Sequence, residues 1–317
     1  VAFYARKLLR LAAVVFAVST LTFLLVDRLP GDVAYEIGGP DATAEEIAAI
    51  RNELGLNRNV VFRFGRWLAS AAIGDLGTSH RSGEPVLRAV ASRLPVTIEL
   101  LFFSQLIALG LAIPAAIVSA HKAGSSIDRS VGSAGFATLS IPSYVMALLL
   151  IFVFALRLRW LPATGYTPLW EGIWQNLKGF ILPSLSIALI EWVPLMRVLR
   201  SDMIGTLQED YILVARAKGM PTWKILLKDA LKPSSLTLVT ILGLQIGHWI
   251  GAAVIIEMIY ALPGIGRLLV DAIFSRDFLM VQGCVLVITV AYVLINSTVD
   301  LLYAALDPRI RLETKNG

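Results

Sequence analysis

Apolar residues recur along this chain in long unbroken runs, not in the alternating or three-to-four spacing of half-buried elements in a soluble protein. Leu11–Val26, Leu100–Ala120, Val131–Leu156 and Phe278–Val299 hold no charged residue. Leu236–Ile256 holds one ionisable group, His248, and Gly179–Met196 holds Glu191. A bilayer core takes about 20 helical residues. The pattern therefore predicts an all-α integral membrane protein with six transmembrane helices, the first reaching full length with Leu8 and Leu9. Pro114, Pro142, Pro183 and Pro194 interrupt these runs, which a membrane tolerates where neighbouring helices satisfy the freed backbone groups. Val1–Val26 has the basic start and apolar run of a signal peptide, but Asp27-Arg28-Leu29-Pro30 follows it instead of an A-x-A-like site. It is read as an uncleaved first span.

Two polar stretches separate the runs. Residues 27–93 predict an extracytoplasmic loop with short helices. One helix starts at Thr43, with Glu46 three residues on as a capping box, and Gly55 is its stop. In a second, Val61, Phe64, Trp67, Leu68 and Ala71 recur at helical spacing. Such a loop either covers the helix ends or contacts a substrate. Residues 201–235 predict a basic loop in which a glycine, Gly219, separates two short helical stretches. It is either a solvated surface or a compact knob for a soluble partner.

Composition sharpens the class. Hydrophobic residues make up 56% and charged residues 16%, and mean hydropathy is +0.72, far from the usual soluble balance. Seven of the eight lysines (Lys7, Lys122, Lys218, Lys224, Lys228, Lys232 and Lys315) fall on one side if the N-terminus is inside, leaving Lys178 outside. The positive-inside rule then puts both termini in the cytoplasm. It also accounts for the net charge of +5 without nucleic acid. The lone Cys284 forms no intramolecular disulfide, and no cysteine-ligated metal is expected. His80, His121 and His248 are scattered, and neither H-E-x-x-H nor G-x-S-x-G occurs, so a membrane enzyme is disfavoured. A channel or secondary transporter stays open, although no clear internal repeat supports it.

The basic loop carries the most specific signal. Glu209-Asp-Tyr-Ile-Leu-Val-Ala-Arg-Ala-Lys-Gly219 resembles the cytoplasmic EAA loop of binding-protein-dependent ABC importer permeases, in particular the dipeptide/oligopeptide/nickel branch. Gly74-Asp-Leu-Gly77, Gly83-Glu-Pro85-Val86, Arg93-Leu-Pro-Val-Thr-Ile-Glu-Leu100, Ser140-Ile-Pro-Ser143, Leu161-Pro-Ala-Thr-Gly-Tyr166, Gly243-Leu-Gln245, Leu262-Pro-Gly-Ile-Gly-Arg267 and Asp307-Pro-Arg-Ile-Arg311 resemble that branch in order and spacing. Aligned on Gly219, the opening Glu-Ala-Ala of the general pattern is replaced by Leu213-Val214-Ala215, and the following proline comes one place late, at Pro233.

The resemblance implies a type I ABC importer permease fold, with residues 1–317 as a single transmembrane domain in a bacterial inner membrane. It implies a heterodimer with a homologous permease, two ATP-binding cassette ATPase subunits and an extracytoplasmic substrate-binding protein. The implied cargo is a di- or oligopeptide. Nickel complexes, glutathione and other small solutes are the alternatives. No G-x-x-x-x-G-K-[ST] occurs, the nearest string being His121-Lys-Ala-Gly-Ser125. ATP and Mg are therefore expected on the partner subunits and no cofactor in this chain.

On that reading Ala215, Arg216, Ala217, Lys218 and Gly219 contact the ATPase. Small residues allow close approach, the two cations meet acidic groups, and Gly219 ends the helix. Glu191, His248 and Gln245 are candidates for the translocation pathway, because polar groups inside spans turn towards protein or wet cavities. Glu191 reads as facing a cavity or a partner. His248 fits a pathway or a packing role equally. For Gln245, as for Ser143 and Asn296, helix–helix hydrogen bonding is the simpler account. Glu257 with Pro263, Gly264 and Gly266 is a candidate external gate or, equally, a structural turn. Arg267, Asp271, Arg276 and Asp277 read as surface ion pairs or binding-protein contacts. Trp160, Tyr166, Trp170 and Trp174 read as an interfacial aromatic belt.

Overall fold

The computed structural model describes residues 2–28, 33–39, 42–53, 55 and 57–306. Side chains are described for these except 2–8, 10, 27, 33, 36, 37, 53, 244, 246–248 and 300–306. The chain runs through α1 (Ala2–Asp27), α2 (Val33–Gly38), α3 (Ala44–Glu53), α4 (Val60–Ala72), α5 (Val86–His121), α6 (Ser126–Leu139) and α7 (Ser143–Leu150), which continues as π-helix over Ile151–Arg157. It goes on through α8 (Ile173–Thr206), α9 (Asp210–Ala217) and α10 (Thr222–Lys224). A π-helical stretch, Ile225–Ala230, then leads into α11 (Leu231–Ile259), α12 (Ile265–Phe274) and α13 (Phe278–Leu306). Among the described residues the one extended pairing is an isolated bridge between Thr78 and Pro85.

Each of the six apolar runs is helical. By length and composition, α5, α8 and Phe278–Val299 of α13 suffice to cross a membrane among the described residues. The third run is not one straight helix, because α6 and α7 meet at 98°. Pro142 is the cause: it disfavours the helical conformation of Ile141 and has no N–H to continue the ladder. The bent pair would make a fourth span, and the apolar stretches Leu11–Val26 and Trp249–Ile259 are shorter.

The residues form two compact units. The first comprises Val1–Pro95 and Pro263–Val293. Its core joins Leu76, Val86 and Val90 to Ile265, Phe278 and Cys284. A Cβ on Gly283 would overlap Val86, so the glycine is required for that close approach. The Ser79 hydroxyl donates to the Asp277 carboxylate, which also caps α13 by accepting from Met280 N at 3.3 Å. Asp277 is therefore buried, not the surface residue that the sequence suggested. Its position just before an apolar run was an N-cap signal. The capping box of α3 forms as expected: Thr43 N donates to Glu46 Oε2 at 2.8 Å, and Glu46 N donates to Thr43 Oγ1 at 3.3 Å. In α4, Phe64 packs edge-on against Phe16 and Phe23 of α1, centroids 5.8 and 5.3 Å away.

The second unit comprises Val96–Leu262 and Leu294–Gly317, with α8 as its axis. Towards the end of α8, Ala188, Leu195, Met196, Leu199 and Met203 pack with Ala108, Ala112, Ala116 and Ala120 of α5. Alanines four apart line one helix face and let two helices approach closely. Towards its start, Phe180, Leu182 and Ile187 pack with Leu100, Met146, Leu150, Ile256 and Tyr260. The buried Tyr260 hydroxyl lies 2.9 Å from Ser186 Oγ and donates to Ala147 O at 3.2 Å, tying the end of α11 to α8 and α7.

Candidate functional site: the cytoplasmic loop and the polar groups of the helices

The loop after α8 builds a small helix on its own hydrophobic foot. Ile212 and Ala215 of α9 pack with Ile225, and Leu207 and Met220 close around them. The opposite face of α9 is open: Tyr211, Leu213, Val214, Arg216, Ala217, Lys218 and Gly219 are exposed. Of the five predicted contact residues, Ala215 thus turns inward and the other four turn outward. Arg216 and Lys218 form no ion pair among the described residues. Gly219 stops the helix at φ +71°, with Met220 N donating back to Ala215 O at 3.2 Å. This left-handed closure is the one glycine favours.

One bond fastens α9 to the stretch that leads into α11, and a second joins the end of α8 to α11 itself. Tyr211 Oη donates to Asp229 O in the π-helical stretch at 3.1 Å. Burial, then the nearby Glu209 and Asp229 carboxylates, push that phenol's pKa up, so it remains a donor. The Thr206 and Ser234 hydroxyls lie 3.0 Å apart.

Upstream, Asp128 at the start of α6 accepts from four groups. These are Ser119 Oγ, Gly124 N at 2.8 Å, Arg200 Nε at 2.7 Å and Arg200 Nη2 at 2.6 Å. This two-point ion pair fixes the α5–α6 turn to the last part of α8, from which the loop carrying α9 departs. Ser125-Ser126-Ile127-Asp128 is legible as a cap, and Ser125 Oγ does accept from Asp128 N at 3.3 Å. Nothing in the sequence pointed to Arg200 as its partner.

Inside the helices, Glu191 is buried, 6% exposed. Ser184, Glu191 and Asp202 are spaced by whole helical turns and share one stripe of α8. The Ser184 Oγ and Asp202 Oδ2 atoms of that stripe are buried and find no partner among the described residues. On α11, Gln245 Oε1 and Trp249 Nε1, one turn apart, are likewise unsatisfied. The helix–helix hydrogen bond that would make Gln245 a packing residue is not formed by its oxygen. The side chains of His248 and Asp300 lie outside the described residues, as does the motif at 307–311.

The candidate gate residues divide between the units. Glu257 is fully buried and accepts from Thr97 Oγ1 at 2.5 Å. Gly264 is the N-cap of α12, and Gly266 is buried in its first turn. Pro263 is half-buried beside them. Arg267 pairs with Asp271 across one turn of α12 at 3.8 Å. Trp160, Trp170 and Trp174 are exposed as an interfacial belt requires. Tyr166 departs from it, with its ring edge-on to the buried Phe180 at 5.9 Å.

The chain is similar to known proteins over nearly its full length. Residues 1–101 match the family described as the N-terminal part of a binding-protein-dependent transport system membrane component. Residues 112–312 match the binding-protein-dependent transport system inner membrane component. A putative peptide transport system permease of Brucella abortus is 39% identical over 300 residues, 95% of this chain and 96% of that one. A probable peptide ABC transporter permease of Sinorhizobium fredii is 36% identical, covering 96% and 98% of the two chains. The glutathione transport system permease of Escherichia coli K12 is 36% identical, covering 96% and 97%. With membrane-length apolar helices and an exposed helix ended by Ala-Arg-Ala-Lys-Gly, the chain belongs to the family of inner membrane permease components of binding-protein-dependent ABC transport systems.

Proposed function

We propose that this permease is one half of the membrane pathway of an ATP-driven importer of short peptides. The six apolar helices cross the inner membrane with both termini in the cytoplasm, and residues 1–317 act as one permease domain. A homologous second permease completes the pathway. Two ATPase subunits bind ATP and Mg, and an extracytoplasmic binding protein delivers the solute. The exposed face of α9 carries the reading. It is a short helix held from behind by Ile212, Ala215 and Ile225, with Arg216 and Lys218 exposed where acidic groups of an ATPase would meet them. Closure of the ATPases would move α9, and α9 is fastened by Tyr211 to the π-helical stretch leading into α11 and reaches α8 within three residues. The unsatisfied polar atoms of Ser184, Asp202 and Gln245 suit a wall that a hydrated peptide passes. Peptide cargo is supported by the relatives in Brucella and Sinorhizobium, and glutathione, itself a tripeptide, by the relative in Escherichia coli.

The test is ATPase activity of the chain purified with its co-purifying subunits, with and without the binding protein, short peptides and glutathione. Stimulation by peptides supports the reading, and stimulation by glutathione alone narrows the cargo to it. An intact preparation with no associated ATPase overturns the proposal.

A further inference from the structure

At the start of α8 in the second unit, two hydrogen-bond acceptors are left without a donor. Asn176 is fully buried. Its Nδ2 donates to Thr167 O at 2.9 Å, which settles which end of the amide is which. Its Oδ1 accepts from nothing among the described residues. Beside it stands Glu99 of α5, one turn before Phe103 as Asn176 is one turn before Phe180, and the Asn176 amide donates towards its carboxyl group. Glu99 Oε1 is buried and also without a donor. One turn further along both helices, Phe103 and Phe180 pack at 5.9 Å, and Tyr166 closes on Phe180 from the side. The loop holds Tyr166 there because Gly165, at φ +118°, runs its carbonyl over Gly179, where a Cβ would stand only 3.0 Å away.

Among the described residues no cation answers this carboxyl group, and Glu99 forms no ion pair. Lys178, two residues from Asn176, is on the opposite side of α8 and lies over the Trp174 ring at 5.3 Å. Buried acceptors without donors are costly, and two adjacent ones call for a group that only donates. An ammonium has three donors and no acceptor, and aromatic rings beside it add attraction.

We infer that Glu99 and Asn176 form a subsite for the protonated amine of the transported solute. The inference rests on the peptide-importer reading and goes one step past it. The pathway selects for a free amino group through this chain, and not only through the binding protein.

The test uses the complete importer in lipid nanodiscs without the binding protein. Equilibrium binding of radiolabelled alanyl-alanine is measured, with N-acetyl-alanyl-alanine and sodium chloride as competitors. Wild type should prefer the free amine. Glu99→Gln, which keeps shape and removes charge, should weaken alanyl-alanine about tenfold and leave the acetylated form unchanged. Glu99→Asp should retain part of the preference. The inference is overturned if the preference survives Glu99→Gln, if both peptides weaken equally, if sodium displaces the dipeptide as a simple cation would, or if wild type binds neither. Uptake of short peptides by cells carrying the whole system is scored separately. Uptake that persists beside any of those results leaves the importer reading standing, and its absence removes that reading.

Discussion

Replacing Gly219 separates backbone from side-chain effects at the end of α9. The residue has φ +71°, and a Cβ built on it meets nothing within 4 Å. Any penalty is therefore torsional. An L-residue in this region costs about 1–2 kcal/mol, with Asn below that range and a β-branched residue at its top. The penalty falls on the bonds closing the helix, Gly219 N to Arg216 O at 2.9 Å and Met220 N to Ala215 O at 3.2 Å. Behind them is only the small cluster of Ile212, Ala215 and Ile225, so the loop should loosen while the membrane helices stay packed. A cost of about 1 kcal/mol lowers the ordered fraction roughly fivefold, and about 2 kcal/mol roughly thirtyfold, wherever that order is marginal. The assay is solute uptake per ATP hydrolysed in proteoliposomes, with co-purification of the partner subunits as the control for assembly. The expected order is Gly, then Asn, then Ala, then Val, with assembly retained throughout. Gly219→Val coupling as well as wild type would refute the torsional argument. Gly219→Asn as poor as Gly219→Val would show that any side chain, not the backbone, obstructs the contact.

Three further outcomes follow from the geometry. Asp128→Ala strands Arg200, Ser119 and the Gly124 amide, and should lower stability by about 2–3 kcal/mol, with Arg200→Lys intermediate because it loses the two-point fork; thermal unfolding in detergent reads both. Gly179→Ala should lower the unfolding midpoint despite better helix propensity, because the added Cβ meets the Gly165 backbone carbonyl at 3.0 Å, whereas Gly110→Ala, with nothing within 4 Å, should not; a higher midpoint for both would show that the loop yields freely. In the capping box, hydrogen bonds from the Thr43 backbone and hydroxyl hold the Glu46 carboxyl below its ordinary value of 4.5. A depressed folded pKa means that the stabilisation of α3 is fully present above 4.5 and is lost as pH falls through the lower folded value. Protection of the Thr43 amide from hydrogen exchange, relative to its intrinsic rate at each pH, should fall over that acidic window, and protection that stays flat there would remove the carboxylate from the cap.

Local signals were legible and long-range pairings were not. Thr43 with Glu46, the apolar runs, and Gly219 after a short helix each announce themselves within a few residues, since capping, hydropathy and left-handed closure are local physics. Asp128 reads as a cap, but its bond to Arg200 spans 72 residues and depends on how α6 and α8 pack. Pro142 marked a break without saying that it turns the chain by 98°. Tyr166 looked like its tryptophan neighbours by composition. Only the close approach of Gly165 to Gly179 turns it inward. Asn176 gave no signal, and Glu99 appeared only as one letter of the Arg93–Leu100 segment, because an orphaned acceptor exists only once its surroundings are built.

The first unit is discontinuous in sequence, and this sets a timetable for its folding. Ser79, Leu76 and Val86 leave the ribosome about 180 residues before the stretch Pro263–Val293 that completes their core. At ordinary rates of synthesis the interval is roughly 10–30 s. Throughout it the Ser79 hydroxyl lacks the Asp277 carboxylate, and Val86 lacks the groove opened by Gly283. The N-terminal third of the nascent chain therefore waits at the membrane half-finished, with its buried surface open to chaperones and proteases until the last sixth arrives.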